Sequence, residues 1–141
     1  MTIRTADCLP ILIADRRNRA VAAIHAGWRG VFAEIAAKTI ETMHIQFGSN
    51  PEDLVVAIGP GIGACCFEVG PEVAVQFGRS GRTRIDLIET TCRQLGRNGI
   101  VTGQISASGH CTCCDDRLFE SYRRDRERAG RMIAVIGLVE E

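Results

Sequence analysis

Two apolar runs, separated by a short charged segment, constrain the fold more than any other feature of this 141-residue chain. The first run is LPILIAD at residues 9–15, and the second is AVAAIHA at residues 20–26. Both runs are apolar at successive positions, which is typical of strands that are covered on both faces. The charged segment at residues 15–19 predicts a turn, so the two runs are expected to pair as an antiparallel hairpin.

The rest of the chain alternates predicted helices and strands. Helices are predicted at residues 31–47, 72–77 and 85–96, and buried strands at residues 54–59, 100–106 and 132–138. Together with the hairpin, this order predicts an α+β fold, an α/β sandwich in which helices flank a mixed sheet. Because no internal repeat or low-complexity linker interrupts the pattern, residues 1–141 are predicted to form a single domain.

Charge and hydropathy argue against several classes of partner. The 17 basic residues balance the 17 acidic ones, so no overall positive field attracts nucleic acid. The apolar runs are shorter than the ~20 residues that cross a bilayer, so no membrane partner is expected. The N-terminus lacks the apolar core of a signal peptide, which predicts a cytoplasmic location. The seven cysteines should then be reduced.

Cys8 and His25 are the first candidates for chemistry. Cys8 precedes the first hairpin strand and His25 lies near the end of the second, so the hairpin brings the two side chains together. A thiol beside an imidazole can act as a nucleophile with its base. The same pair can supply sulfur and nitrogen ligands to Zn²⁺. A packed cysteine beside a structural histidine fits the same spacing, and all three interpretations remain open from the residues alone.

Glycine-framed segments follow the two central strands. Gly27 and Gly30 enclose Trp28 and Arg29, so the backbone there can approach a ligand closely. Arg29 is a candidate to clamp a phosphate or carboxylate, with a surface ion pair as the alternative. Trp28 is expected either to flank the site or to pack in the core. The run IGPGIG at residues 58–63 predicts a tight turn beside a site and only weakly suggests a phosphate cradle.

The C-terminal cysteines resemble a metal-binding loop at first inspection. His110 precedes CTCC at residues 111–114, but no second Cys-x-x-Cys pair completes four ligands. The sequence therefore predicts neither metal nor disulfide at five cysteines: Cys65, Cys66, Cys92, Cys113 and Cys114. The basic stretch at residues 122–126 contains neighbouring acids, which favours a solvated, ion-paired face over a phosphate site.

Several motifs occur together in a fixed order across nearly the whole chain. They are TADCLP at residues 5–10, HAGWRG at 25–30, IGPGIG at 58–63, FEVG at 67–70, CT at 111–112 and SYRRD at 121–125. In these motifs the chain resembles the laccase-domain family, also called the polyphenol oxidase or YfiH-like family. The joint presence of the first two motifs makes the resemblance highly specific.

The resemblance implies a zinc-dependent purine nucleoside phosphorylase. Its expected substrates are adenosine, inosine and methylthioadenosine with phosphate, and adenosine deamination is an expected side activity. Cys8 and His25 match two ligands of the family's single zinc site, with copper as the alternative metal from older assignments of polyphenol oxidation. Arg29 would then hold the phosphate, so Cys8, His25 and Arg29 are the expected catalytic residues.

The chain also departs from the family pattern. Family members continue further on the N-terminal side, where a histidine supplies the third zinc ligand, whereas here TADCLP begins at residue 5. A truncated domain with weakened activity is therefore expected, with His110 as a substitute ligand. An uncovered strand edge or apolar face would favour a homo-oligomer or the missing N-terminal segment as a partner. The alternatives are a Cys–His hydrolase or amidase, a polyphenol oxidase-type metalloprotein, and an inactive metal-binding domain.

Overall fold

The computed structural model describes residues 1–139, so the last two residues of the predicted domain lie outside it. The strands are β1 (Thr2–Thr5), β2 (Leu9–Asp15), β3 (Ala20–Ala26), β4 (Leu54–Ile58), β5 (Glu68–Val69), β6 (Thr83–Arg84), β7 (Ile105–Ala107) and β8 (Met132–Val135). The α-helices are α1 (Trp28–Phe32), α2 (Ile35–Phe47), α3 (Pro71–Ala74), α4 (Leu87–Arg97) and α5 (Tyr122–Asp125).

A four-stranded mixed sheet lies at the centre, in the order β3-β2-β4-β7. Strand β2 is antiparallel to both β3 and β4, and β7 is parallel to β4. The predicted hairpin is confirmed, with its register running from Leu9 opposite Ala26 to Asp15 opposite Ala20. The mixed sheet and its flanking helices confirm the predicted fold class.

Asp15 holds the hairpin turn. Its Oδ1 accepts backbone N–H donors from Arg17 at 2.8 Å and Asn18 at 2.9 Å. Burial alone would raise the pKa of Asp15, but hydrogen bonding, including that from Asn18 and Arg17, outweighs it and lowers the pKa below the usual value. The turn is therefore fixed by an ionised carboxylate.

One face of the sheet forms the hydrophobic core. Alternate residues along β2 point to this face, and Leu9, Ile11 and Ile13 are fully buried there. Helices α2 and α4 cover them, with Ile40 and Leu95 among the buried helical side chains. The core therefore lies between the central sheet and these two helices.

The opposite face of the sheet is only partly covered. Strand β1 pairs antiparallel with β8 and packs near β2 and β3, which leaves two apolar cavities of about 490 and 360 Å³. Leu12 lines both cavities, and Ile133 of β8 lines the larger one while remaining 63% exposed. We call this half-covered surface the open sheet face.

Local structure differs from the sequence-based prediction in several places. The helix predicted at 31–47 is two helices, because Glu34 adopts a left-handed backbone conformation with φ of 56° between them. The strand predicted at 100–106 is confined to β7, because a 3-10 turn occupies residues 102–104. Strand β8 ends at Val135 and exposes alternate residues, whereas a buried strand to residue 138 was predicted. Strand β1 was not predicted.

The described part of the chain contains no helix long and apolar enough to cross a membrane.

Candidate functional site

Cys8 and His25 line one cavity of about 320 Å³ at the end of the β2–β3 hairpin. Cys8 lies one residue beyond the last pair of the hairpin, and His25 pairs with Pro10. The thiol packs so closely on Gly27 that a Cβ there would lie 2.9 Å from the Cys8 Sγ. The hairpin thus brings the two candidate residues to one site, as the strand pattern predicted.

Arginines and aromatic rings complete the cavity wall. Arg4, Arg123 and Arg131 contribute positive charge, and Phe67 and Tyr122 contribute apolar surface. Sequence reasoning did not assign these residues to the site. Arg4 lies on β1, a strand without a local signal, Phe67 and Arg131 lie in loops, and Tyr122 and Arg123 begin helix α5. The arrangement suits an anionic ligand with a flat apolar part.

Asp7 positions the cysteine beside it. The residue is almost fully buried and has a left-handed backbone with φ of 83°, which few residues other than glycine adopt. Its Oδ1 accepts the Thr112 hydroxyl at 2.7 Å, and its Oδ2 accepts the Arg123 backbone N–H at 2.6 Å. The Asp7 carbonyl also accepts the Ile62 N–H at 2.8 Å. The side chain and carbonyl of Asp7 therefore join the start of the hairpin to three other segments of the site.

The surroundings of Cys8 favour its neutral thiol. Burial raises the pKa of Cys8, the negative charge of Asp7 raises it further, and the positive charge of Arg131 partly offsets the increase. A cysteine that acts as a nucleophile usually has a lowered pKa. The environment therefore disfavours the interpretation of Cys8 as a nucleophile paired with His25.

Arg29 and Trp28 form a pair outside this cavity wall. The Arg29 guanidinium lies over the Trp28 ring, with its central carbon 4.3 Å from the ring centroid. Trp28 also packs against the hydrophobic core. Neither residue lines the cavity that contains Cys8 and His25. The role of Arg29 in binding phosphate stays a prediction, and Arg4 and Arg131 are better placed for it.

The cavity contains ligand atoms of the kind that zinc prefers, but fewer of them than a catalytic zinc site usually has. A cysteine sulfur and a histidine nitrogen are common zinc ligands, and catalytic sites usually combine three protein ligands. Within residues 1–139, Cys8 and His25 belong to no group of three metal-ligating side chains. His110 lies elsewhere, with Nδ1 3.6 Å from an Asp115 carboxylate oxygen. A third ligand would have to come from outside the described residues.

A different group of side chains gathers four potential ligands. The sulfur atoms of Cys65, Cys66, Cys111 and Cys114 all lie within 4.8 Å of one another, so the group can hold a metal ion. The sequence-based expectation that these cysteines lack a second ligand pair is wrong. Cys65 and Cys66 are that pair, and they were missed because adjacent cysteines do not form a Cys-x-x-Cys motif. We call these four residues the thiol group.

Burial raises the pKa of Cys111, but several hydrogen bonds lower it. The backbone N–H of Gly63 donates to Cys111 Sγ at 3.2 Å, and the N–H groups of Cys114 and Cys113 and the Cys65 thiol also contribute. The net result is a pKa of about 7, below the usual value. By contrast, hydrogen bonding with Cys114, burial and the neighbouring thiols raise the pKa of Cys66.

The two arginines of SYRRD connect the loops that carry the thiol group. Arg123 Nη1 donates to the carbonyl oxygens of Cys66 at 2.9 Å and Glu68 at 3.0 Å. Arg124 Nη1 donates to the carbonyl of Thr112 at 2.9 Å, and its Nη2 pairs with Asp125 at 2.7 Å. The sequence predicted a solvated, ion-paired face here. The ion pair is present, and both guanidiniums also bind backbone carbonyls.

Comparison with known proteins assigns the chain to a family. The family model described as multi-copper polyphenol oxidoreductase laccase matches residues 1–139. A purine nucleoside phosphorylase of Deinococcus radiodurans is 41% identical over 98% of this chain and 56% of the relative. A purine nucleoside phosphorylase of Bacteroides thetaiotaomicron is 36% identical over 96% of this chain and 56% of the relative. The chain thus spans about half the length of the curated relatives it matches.

Solved structures agree with the sequence comparison. The crystal structure of YlmD from Geobacillus stearothermophilus has a TM-score of 0.88 and 34% identity, covering 94% of this chain and 54% of that one. The crystal structure of the Bacillus licheniformis hypothetical protein YfiH has a TM-score of 0.87 and 37% identity, covering 94% and 55%. The chain belongs to the family described as multi-copper polyphenol oxidoreductase laccase, the laccase-domain or YfiH-like family.

Proposed function

We propose that this chain carries part of the active site of a purine nucleoside phosphorylase. The observation that supports this most strongly is the cavity in which Cys8 and His25 meet Arg4 and Arg131, in a chain 41% identical to a phosphorylase. Adenosine, inosine and methylthioadenosine are the proposed substrates, with phosphate as the second substrate. Adenosine deamination is a proposed side activity.

The proposed reaction exchanges one bond at the ribose. A phosphate oxygen forms a bond to C1′ while the bond from C1′ to the purine nitrogen breaks. The purine leaves with the electron pair of that bond and takes up a proton. The enzyme must therefore hold a phosphate anion beside the sugar and stabilise negative charge on the departing base.

The residues of the cavity can supply the binding part of this task. Arg4 and Arg131 provide guanidinium groups for phosphate, and Phe67 and Tyr122 offer aromatic surface against a purine. Cys8 and His25 are the proposed ligands of a zinc ion, with copper as the alternative metal. A bound zinc ion would supply Lewis-acid polarisation of a substrate oxygen. We propose that the third protein ligand comes from the part of the relatives that this chain does not span.

Phosphate-dependent release of purine base from inosine or adenosine tests the proposal. The 141-residue chain should show weak release that increases with added zinc, because two ligands hold the metal poorly. Cys8→Ala and His25→Ala should each abolish the remaining activity, a loss of about 100-fold where it is measurable. Cys92→Ala, which changes a half-buried cysteine on α4 outside the cavity, is the matched control.

A fusion tests the missing ligand directly. The remaining half of the Deinococcus radiodurans relative, joined ahead of Met1, should raise the rate and keep its dependence on Cys8 and His25. Strong phosphorolysis that survives both substitutions would contradict the assigned site. Base release without phosphate, blocked by a thiol-directed reagent, would instead favour the Cys–His hydrolase. No release from the fusion would favour an inactive metal-binding domain.

A further inference from the structure

We propose that Cys65, Cys66, Cys111 and Cys114 form a structural zinc site with four thiolate ligands, separate from Cys8 and His25. The Sγ atoms of Cys66 and Cys114 lie 3.3 Å apart, and those of Cys65 and Cys114 lie 3.5 Å apart. In a tetrahedral site with Zn–S bonds of about 2.3 Å, the sulfur atoms are about 3.8 Å apart. The four sulfur atoms all lie within 4.8 Å of one another, which is compact enough for one Zn²⁺ to bind them after small side-chain adjustments.

Two loops bring these four ligands together. Cys65 and Cys66 follow β4 in the glycine-rich loop, and Cys111 and Cys114 have Cys-x-x-Cys spacing in the loop after β7. The loops are joined by their backbones, because the Thr112 N–H donates to the Gly61 carbonyl at 3.0 Å. The sulfur atoms are thus assembled by the fold and do not depend on chance side-chain positions.

Gly63 allows the loops to approach. A Cβ at this position would lie 3.2 Å from the Cys111 Cβ and 3.3 Å from the Cys65 Sγ, so a side chain would push the two ligand pairs apart. The Gly63 N–H also donates to Cys111 Sγ at 3.2 Å. Backbone N–H donors of this kind stabilise a thiolate that is bound to a metal.

The SYRRD arginines hold both sides of the proposed site. Arg123 binds the carbonyl of Cys66 in one loop, and Arg124 binds the carbonyls of Thr112 and Cys113 in the other. Because the two arginines are adjacent in the chain, they fix the distance between the loops. Arg123 also places a positive charge beside a site where four thiolates and one Zn²⁺ would carry a net negative charge, whereas the charge of Arg124 is paired with Asp125.

Zinc binding at this site needs no oxidant. Four S–H bonds break, four Zn–S bonds form, and the four protons pass to solvent without any transfer of electrons. Four protein ligands leave no open coordination position, which is typical of a structural zinc site. Ile62 and Phe67, on either side of Cys65 and Cys66 in the chain, line the cavity of Cys8 and His25, so the metal would help to fix one wall of that cavity.

Zinc content per chain distinguishes this site from the one in the cavity. We would purify the chain under reducing conditions with Cys8→Ser and His25→Ala, and measure zinc by mass spectrometry. About one zinc per chain should remain in this background. Adding Cys65→Ser or Cys114→Ser should lower the content severalfold, and both cysteines are exposed, so the fold should tolerate the change. Adding Cys113→Ser, the neighbour outside the thiol group, should leave it unchanged.

The ligand atoms provide a second readout. X-ray absorption at the zinc edge should show four sulfur neighbours at about 2.3 Å in the same background. Three outcomes would overturn the proposal: no bound zinc in this background, an equal loss with Cys113→Ser and Cys114→Ser, or thiol titration showing that Cys66 and Cys114 form a disulfide under reducing conditions. Each of these outcomes is independent of whether the chain releases purine bases.

Discussion

Single residues set the geometry of the cavity, and Asp7 does so by binding segments that are far apart in the sequence. Its two carboxylate oxygens accept donors 105 and 116 positions away in the sequence. The TADCLP motif drew attention to Cys8, and the hairpin pattern predicted that it lies at the same end of the sheet as His25, where both residues line one cavity. The role of Asp7 was not predictable, because nothing local to residue 7 indicates that its partners are Thr112 and Arg123.

Substituting Asp7 should cost more than the average point mutation. Asp7→Ala leaves two buried donors without a partner and places alanine at a φ of 83°, so we expect the free energy of unfolding to fall by about 2–4 kcal/mol. Asp7→Asn keeps the shape and tolerates this backbone conformation, so it should lose less. Urea unfolding of the three proteins measures the difference. Equal stability of Asp7→Ala and the wild type would show that these hydrogen bonds are not needed.

Secondary-structure elements were predictable where their signals are local. Helix α4 was predicted at 85–96 from the glycines near its C-terminal end, and it spans Leu87–Arg97. Strand β1 was missed because, within residues 1–139, it pairs with β8, about 130 positions away. The thiol group was missed because the adjacent pair Cys65 and Cys66 matches no metal motif and approaches Cys111 and Cys114 only in the folded chain.

The N-terminal cap of α4 can be tested by mutation. The Asp86 side chain accepts the Glu89 backbone N–H at 2.8 Å and so satisfies one free donor of the first helical turn. Asp86→Ala should lower the free energy of unfolding by about 1 kcal/mol, whereas Asp86→Ser, which retains a capping oxygen, should stay close to wild type. Thermal or urea unfolding measures both variants. Identical losses in the two would mean that the aspartate acts through charge and not as a cap.

The whole molecule has one well-covered and one poorly covered side. Helices bury one face of the central sheet, whereas the open sheet face has cavities of about 490 and 360 Å³ and exposes Ile133 and Val135. Exposed apolar surface of this kind usually marks a contact with another chain or segment. The sequence predicted that some surface would be uncovered but not where. The three-dimensional structure places that surface on the open sheet face.

Self-association through the open sheet face is the expected consequence. Sedimentation velocity at tens of micromolar should show the chain as a dimer or larger species, and Ile133→Lys should shift it toward the monomer because a charge there opposes burial. Ile45→Lys, a change at a similarly exposed isoleucine on α2, is the matched control and should leave the distribution unaltered. A wild-type chain that sediments only as a monomer would contradict this expectation.

Arg123 belongs to two sites at once. It lines the cavity of Cys8 and His25, and its guanidinium holds the carbonyl of Cys66 in the thiol group. When two occupants both require one ordered side chain, the first to bind bears the entropy cost of ordering and the second binds more tightly. Thermodynamic linkage makes this effect reciprocal, so a metal ion at the thiols and an anion in the cavity would each increase the affinity for the other by the same factor.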